Sequence, residues 1–295
     1  MNFFMFPGQG SQFVGMGKEL YESDIDAQAI FETANQLLSQ SISNVCFEGP
    51  EEKLKQTQYA QIGIFLVSAA QLMVLKKEGR MPDIVAGHSL GELTAYYAAG
   101  VFDLETAIRV ITFRGEAMAR AYPSDDSAMA AVMGTELDII ESVIKQQPDV
   151  VIANYNCPTQ IVISGKKNGV QSAIAELKEA GAKRVIPLNV SGAFHSPLMA
   201  SAAEEFESFL ETQSFKSSTI PIILNRTAQT ETDASALREN LALQLKSPVK
   251  WTQTIQSMIN KVSHVQEVGP GAVLTGLLKK IAPELIQKER SEVSG

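Results

Sequence analysis

The strongest constraint on the fold is a short apolar segment that runs directly into a serine flanked by glycines. Residues 83–91 read DIVAGHSLG, which is a buried strand followed by a Gly-x-Ser-x-Gly turn around Ser89, and a helix is predicted over 91–99. Glycines at both flanks permit a turn so tight that larger side chains would clash, and such a turn lifts the serine hydroxyl clear. The pattern predicts a strand–turn–helix unit with Ser89 as a candidate nucleophile. The alternative is that Ser89 only caps the helix.

Short apolar strands alternate with helices along much of the chain. Strands are predicted over 2–6, 220–224 and 265–268, and longer helices over 62–77 and 103–121. This alternation is typical of α/β proteins with a parallel sheet. The sequence therefore predicts an α/β fold.

The middle of the chain follows a different order. Residues 127–189 read as β-α-β-β-α-β, which is the ferredoxin-like pattern. We predict that this segment forms a small ferredoxin-like subdomain. Residues 1–126 and 190–295 would together build the large domain into which it is inserted.

Composition excludes several classes of function. The 295 residues carry 25 basic and 33 acidic side chains, a net charge of −8, which argues against nucleic acid as a partner. Two cysteines and three histidines, scattered singly, cannot supply a zinc site or a disulfide framework. We therefore expect no metal.

Targeting signals are not apparent in the sequence. The N-terminus MNFFMFPGQG has no basic region and no cleavage pattern. The longest apolar stretch, 62–75, is interrupted by Ser68 and Gln71 and falls short of the roughly 20 residues of a membrane span. We expect a cytoplasmic protein that does not interact with membranes.

The few histidines narrow the choice of a general base for Ser89. The side chain of His88 should point away from its neighbour's hydroxyl, and His264 leads into a strand, where histidines are commonly solvated. His195 lies in the loop SGAFHSP after the last strand of the predicted insertion, and such loops commonly present catalytic groups. His195 is the predicted base, and a structural histidine is the alternative.

A serine nucleophile also requires two donors for the oxyanion. The N–H of Leu90, immediately after Ser89, is the first candidate. The second is the N–H of Gln9 in the glycine-rich loop FPGQGSQ, which leaves the predicted first strand. Taken alone, this loop could equally be an ordinary glycine-rich turn.

Six segments together resemble one enzyme family. FPGQGSQ, GHSLGE, RGEAM, GAFHSPLM, PVKW and EVGPGAVLTGL are similar, in family order from Phe6 to Leu277, to the malonyl-CoA:acyl carrier protein transacylases. The resemblance implies an α/β-hydrolase-like core with a ferredoxin-like insertion. It also implies ping-pong transfer of malonyl from malonyl-CoA, through a malonyl-serine, to the phosphopantetheine thiol of an acyl carrier protein. The enzyme itself would need no cofactor.

The resemblance assigns a role to each matching residue. Ser89 matches the nucleophile, His195 the base, and Gln9 and Leu90 the oxyanion donors. Gln244 matches a residue that orients the histidine through a neutral amide or carbonyl, so the implied arrangement is a Ser–His dyad without a buried acid.

Substrate binding is assigned to three residues, Arg114, Phe194 and His88. Arg114 matches the arginine that binds the malonyl carboxylate, for which a planar guanidinium is suited; the alternative is an ordinary surface ion pair. Phe194, in an Ala-Phe-His block, resembles the malonyl-selective form of polyketide synthase acyltransferases and would crowd an α-methyl group. His88 belongs to this set, with a structural role as its alternative.

Several functional readings remain open. Phe194 and the chain length favour a stand-alone, trans-acting acyltransferase of a polyketide synthase over one of fatty acid synthesis. A hydrolase that clears stalled acyl chains would share Ser89 and His195 but would not need Arg114. A catalytically idle docking module for carrier proteins is a third possibility. We expect a monomer.

Overall fold

The structure is a computed structural model, and it describes residues 1–121 and 124–286. Its strands are, in chain order, β1 Asn2–Phe6, β2 Ile84–Gly87, β3 Ser127–Met133, β4 Val150–Cys157, β5 Gln160–Lys166, β6 Arg184–Pro187, β7 Ile222–Ile223, β8 Thr230–Glu231 and β9 His264–Glu267. Its helices are α1 Lys18–Ser23, α2 Ile25–Leu38, α3 Ile42–Glu48, α4 Glu51–Leu54, α5 Thr57–Lys77, α6 Leu90–Ala98, α7 Leu104–Arg120, α8 Leu137–Lys145, α9 Lys167–Glu179, α10 Ala200–Glu211, α11 Ala234–Gln244, α12 Trp251–Gln256 and α13 Val273–Ile281.

The larger sheet has the order β8–β7–β2–β1–β9. The pairs β1–β2, β1–β9 and β2–β7 are parallel, and only the short edge strand β8 runs antiparallel. The predicted α/β fold with a parallel sheet is confirmed. The predicted strand 220–224 is shorter than expected, since only Ile222–Ile223 pairs.

The apolar character of β1 follows from burial on both faces of this sheet. Phe4 and Phe6 pack into a core with helices that include α2, α5 and α7. Phe3 and Met5 point to the other face, into a second core with α12 and α13. The sheet therefore lies between two helical layers, and the strand ends are the places where polar groups can gather.

The smaller sheet has the order β4–β5–β3–β6 with every pair antiparallel. The β3–α8–β4 connection has β5 between its strands, and the β5–α9–β6 connection has β3 between its strands. This is the split βαβ arrangement of the predicted ferredoxin-like unit. The domain limits at 127 and 189 stay a prediction, and residues 287–295 of the predicted large domain lie outside the described residues.

Helix α5 is longer than the sequence indicated. It begins at Thr57 rather than at 62, and this helix of 21 residues is long enough and apolar enough on average to cross a membrane by length and composition. The expectation that the segment is too short for a span was therefore wrong. Most of its side chains are buried within the protein, as in the core helix of a folded domain.

Candidate active site

Ser89 lies in the turn between β2 and α6, with φ 52° and ψ −104°. This backbone conformation is unfavourable for a residue with a side chain and costs about 1–3 kcal/mol. Gly91 is required here because a Cβ would lie 1.9 Å from the carbonyl oxygen of Phe6, and a Cβ at Gly87 would lie 1.8 Å from the carbonyl carbon of Gly91. The side chain of Ser89 makes no capping hydrogen bond, so the capping alternative is not what the structure contains.

The Ser89 hydroxyl is hydrogen-bonded to His195, with Oγ 2.8 Å from Nε2. The other ring nitrogen, Nδ1, is 3.1 Å from the main-chain carbonyl oxygens of both Gln244 and Ser247. Because carbonyl oxygens only accept hydrogen bonds, Nδ1 carries the proton and donates it to them. Nε2 is then free to accept the proton of the Ser89 hydroxyl.

Burial keeps the His195 ring neutral. The residue is only 4% exposed, and desolvation, with the nearby positive charge of Arg114, lowers the pKa of His195 to about 3. The carbonyls that accept from Nδ1 act in the opposite direction but do not offset burial. At neutral pH the imidazole is therefore in the form that can take up a proton.

Arg114 projects from α7 into the same site and is fully buried. Its Nη1 donates to Gln61 Oε1 at 2.8 Å. Its Nη2 donates to Gln244 Oε1 at 2.8 Å and to Ser89 Oγ at 3.1 Å. The surface ion-pair alternative is excluded by this burial. Burial lowers the pKa of Arg114 to about 10, which still leaves the guanidinium charged at neutral pH.

Gln244 contacts three parts of the site. Its carbonyl accepts from His195, its Oε1 accepts from Arg114, and its Nε2 donates to the main-chain carbonyl of Ser89 at 3.0 Å. The sequence left open whether an amide or a carbonyl orients the imidazole. In the structure the main-chain carbonyl contacts the ring, and the side-chain amide links Arg114 to the turn.

The candidate oxyanion donors come from two different segments, Gln9 from the loop after β1 and Leu90 from the start of α6. Within residues 1–121 and 124–286, neither the N–H of Gln9 nor that of Leu90 donates a hydrogen bond, so both are available to a ligand. The loop that carries Gln9 approaches the turn closely at Gly8, where a Cβ would lie 2.3 Å from the carbonyl oxygen of His88. Glycine at position 8 is thus what allows the two loops to meet.

A cavity of about 110 Å³ opens beside Ser89. Gln9, Leu90, Phe194 and His195 all line it, so the structure brings these predicted residues together. The rest of the wall is mostly apolar and comes from α5, α7, two strands of the smaller sheet and the segment after β6, with the side chains of Gln61, Met118, Met129, Asn154, Leu188 and Val190.

His88 also borders the cavity, and its ring contacts two further side chains. Nε2 is 2.8 Å from Oδ1 of Asn156, and the ring packs edge-on against Trp251 with 5.7 Å between centroids. Burial lowers the pKa of His88. These contacts support the structural alternative, and a substrate-binding role for His88 stays a prediction.

Two buried residues behind the turn were not predicted as site residues. Asn225 accepts a hydrogen bond from the N–H of Ser89, and Glu92 accepts one from the N–H of Asn225. Burial raises the pKa of the Glu92 carboxyl to about 7, against the lowering effect of its hydrogen bonds and of Arg114. Glu92 belongs to the GHSLGE segment and could have been noticed there, whereas no local signal marks Asn225.

Metal ligands are not assembled at this site or elsewhere in the described chain. Among the residues that the structure describes, no group of three or more His, Cys, Asp or Glu side chains could hold a metal ion.

Comparison with known proteins places the chain in a family. The family model for the acyl transferase domain matches residues 3–292. A malonyl CoA-acyl carrier protein transacylase of Bacillus subtilis (strain 168) is 44% identical over 283 residues, which is 94% of this chain and 89% of the relative. A relative of the same name from Staphylococcus aureus (strain MRSA252) is 40% identical over 282 residues, covering 94% of this chain and 91% of its own.

Solved structures agree with this assignment. An acyl carrier protein S-malonyltransferase from Vibrio cholerae superposes with a TM-score of 0.92 at 38% identity, over 96% of this chain and 94% of that one. A type II PKS acyl-carrier protein in complex with its malonyl-transacylase gives a match with a TM-score of 0.93 at 37% identity, over 96% and 93%. The family model, the sequence relatives and the solved structures each match nearly the whole chain. This protein is therefore a member of the acyl transferase domain family.

Proposed function

We propose that this chain transfers malonyl from malonyl-CoA to the phosphopantetheine thiol of an acyl carrier protein, through a malonyl ester of Ser89. The names of the relatives and the Ser89–His195–Arg114 geometry support this function. The observation that carries it is the buried guanidinium of Arg114 within hydrogen-bond distance of Ser89 Oγ. In malonyl-CoA the carboxylate is one methylene away from the carbonyl that the serine attacks.

In the first half-reaction, Ser89 Oγ attacks the thioester carbonyl while its proton passes to His195 Nε2. The oxyanion is stabilised by the N–H groups of Gln9 and Leu90. When the intermediate collapses, the C–S bond breaks and the proton on His195 goes to the departing thiolate of coenzyme A. Arg114 holds the malonyl carboxylate with charge-assisted hydrogen bonds throughout.

In the second half-reaction, the phosphopantetheine thiol gives its proton to His195 Nε2 and its sulfur attacks the malonyl ester. The C–O bond to Ser89 breaks, and the proton returns to the serine oxygen. The main-chain carbonyls of Gln244 and Ser247 hold the tautomer of His195 in both steps. No cofactor or metal enters either half-reaction.

Selectivity would follow from the wall of the cavity and from charge. Phe194 is buried beside His195 and narrows the space next to the acyl carbon. An acetyl group offers no carboxylate to Arg114, whose charge then stays unpaired in a buried site. We further infer that the enzyme acts as a cytoplasmic monomer that supplies fatty acid or polyketide synthesis.

The acyl-enzyme provides the test. Incubation with radiolabelled malonyl-CoA should label the wild type and the control Ser208→Ala, whose hydroxyl is exposed on α10, but not Ser89→Ala. The label should persist without a carrier protein and move to the thiol when the holo-carrier is added. Rapid loss of label as free malonate, at the same rate with and without carrier, would instead establish the hydrolase.

A further inference from the structure

The side chain of Asn225 bridges the two sides of the nucleophile turn. Its Oδ1 accepts a 2.7 Å hydrogen bond from the N–H of Ser89, and its Nδ2 donates a 2.6 Å hydrogen bond to the carbonyl of Gly87. Both partners are main-chain groups at the ends of regular elements, since Gly87 is the last residue of β2 and Ser89 immediately precedes α6. A carboxamide is suited to both because it carries one acceptor and one donor end.

Hydrogen bonds of its own main chain hold Asn225 in place. Its N–H donates to Glu92 Oε2 at 2.7 Å, and its carbonyl accepts from the N–H of Lys250 at 2.9 Å. The other carboxyl oxygen of Glu92 accepts from Asn240 Nδ2 at 2.8 Å. The asparagine is thus tied to the helix after the turn and, through Glu92, to α11.

Because these residues are buried, the loss of one of their hydrogen bonds would leave a polar group without a partner. Asn225 is 1% exposed and Glu92 is fully buried, so water cannot replace a lost partner without a rearrangement. If the carboxamide were removed, the N–H of Ser89 and the carbonyl of Gly87 would both lose their partners. The strained turn would then relax toward a conformation that satisfies them.

We propose that Asn225, held by Glu92, is a positioning residue for the reaction. It keeps the Ser89 peptide in the conformation that directs Oγ at His195 Nε2 and presents the Leu90 N–H to the cavity. Asn225 does not touch the cavity and acts through Ser89. This inference rests on the proposed acyl transfer, for which it supplies the support of the nucleophile.

The position of Asn225 leads to a specific kinetic expectation. Arg114 is held by Gln61 and Gln244, so recognition of the substrate carboxylate does not depend on Asn225. Misalignment of a nucleophile by about 1 Å lowers the rate of the chemical step by on the order of 100-fold. A change at Asn225 should therefore lower kcat with little effect on the binding of malonyl-CoA.

The test compares Asn225→Leu with Asn35→Leu. Asn35 is a matched control because its carboxamide also bridges, donating to Ser43 Oγ and accepting from Ser43 N, between α2 and α3. We expect kcat of Asn225→Leu to fall about 100-fold, while Asn35→Leu keeps the wild-type kcat. In a Ser89→Ala background, Asn225→Leu should bind malonyl-CoA as tightly as Ser89→Ala alone. A wild-type kcat, or a loss of binding as large as the loss of kcat, would overturn the proposal.

Asn225→Asp covers the case in which the leucine variant does not fold. The carboxylate can accept from the Ser89 N–H but cannot donate to Gly87, so kcat should fall while the chain stays folded by circular dichroism. A folded Asn225→Asp with wild-type kcat would also overturn the proposal.

A second measurement separates the positioning role of Asn225 from the proposed malonyl transfer. It is the rate at which a phosphonofluoridate labels Ser89. If the wild type transfers no malonyl, the proposed function fails, and slower labelling of the Asn225 variants would still support the positioning role while equal labelling would contradict it.

Discussion

Arg114 Nη2 donates a 3.1 Å hydrogen bond to Ser89 Oγ, so the cation suited to a substrate carboxylate directly touches the candidate nucleophile. The guanidinium favours the developing negative charge on the serine oxygen. The same charge disfavours protonation of His195, whose pKa it lowers together with burial. A carboxylate bound to Arg114 would offset the charge and restore basicity to the imidazole, so the substrate would help to activate the base that it needs.

The pH dependence of acylation should reflect the low pKa of His195. The neutral imidazole is the active form, and its pKa in the free protein is about 3 rather than 6.5, so lowering the pH toward 6 should not protonate it. We expect kcat/KM for coenzyme A release to stay nearly flat between about pH 8 and pH 5. Stopped-flow measurement of the first half-reaction checks this, with activity restored at neutral pH as the control for unfolding. A midpoint near 6.5 would contradict it.

Removal of the guanidinium should change acyl selectivity. In Arg114→Ala, kcat/KM for malonyl-CoA should fall by on the order of 100-fold or more, since charge-assisted hydrogen bonds to the carboxylate are lost. Transfer of acetyl should be unchanged or improved because no buried charge is left unpaired. The control is Arg109→Ala, on the same helix but exposed and paired with Glu105. Unchanged malonyl-to-acetyl ratios in Arg114→Ala would argue against carboxylate binding.

Gln244 and His195 should contribute unequally. Gln244→Ala removes the side-chain bonds to Arg114 and to the Ser89 carbonyl but keeps the main-chain carbonyl that orients the imidazole. We expect a loss in kcat of roughly tenfold, against about 1,000-fold for His195→Ala, which removes proton transfer. Steady-state kinetics of the two purified variants decide this, and equal losses would mean that the amide itself takes part in proton transfer.

Glu92 should make the stability of the protein depend on pH. Its folded pKa of about 7 lies above the ordinary 4.5, so its contribution is fully present below about pH 4.5 and is lost as the pH rises through 7. Glu92→Gln, measured by denaturant unfolding, should therefore differ from wild type by an amount that changes by about 3 kcal/mol across this range. The exposed Glu105→Gln is the control. If the difference in unfolding free energy did not depend on pH, folding would not raise the pKa of Glu92.

Phe194 should restrict acyl groups with an α-substituent. Phe194 is 6% exposed and borders the cavity beside His195. Phe194→Ala would open space next to the acyl carbon, and kcat/KM for methylmalonyl-CoA relative to malonyl-CoA should rise by about tenfold. Competition between the two thioesters, read by mass spectrometry of the acyl-enzyme, measures this ratio. An unchanged ratio would mean that another part of the wall sets the limit.

Much of the fold was predictable because its elements carry strong local patterns. The four apolar residues of β1, from Phe3 to Phe6, match its burial on both faces of the sheet, and the β-α-β-β-α-β order predicted the smaller sheet. Helices α1 to α4, α11 and α12 were not predicted. Of these, α1 buries no side chain and α4 only one, and such short, weakly amphipathic segments have little periodicity to detect.

The sequence alone predicted the strand–turn–helix unit around Ser89 and its chemistry, and only one histidine was a credible base for Ser89. Gly87 is demanded by its contact with Gly91 four residues later, whereas Gly91 is demanded by the approach of Phe6 from the neighbouring strand β1. Tertiary structure decided how distant groups converge on that turn. His195 lies 106 residues from Ser89, Asn225 136 and Gln244 155. Their hydrogen bonds gain strength from burial, which depends on how the two sheets and their helices pack and leaves no periodic trace in the chain.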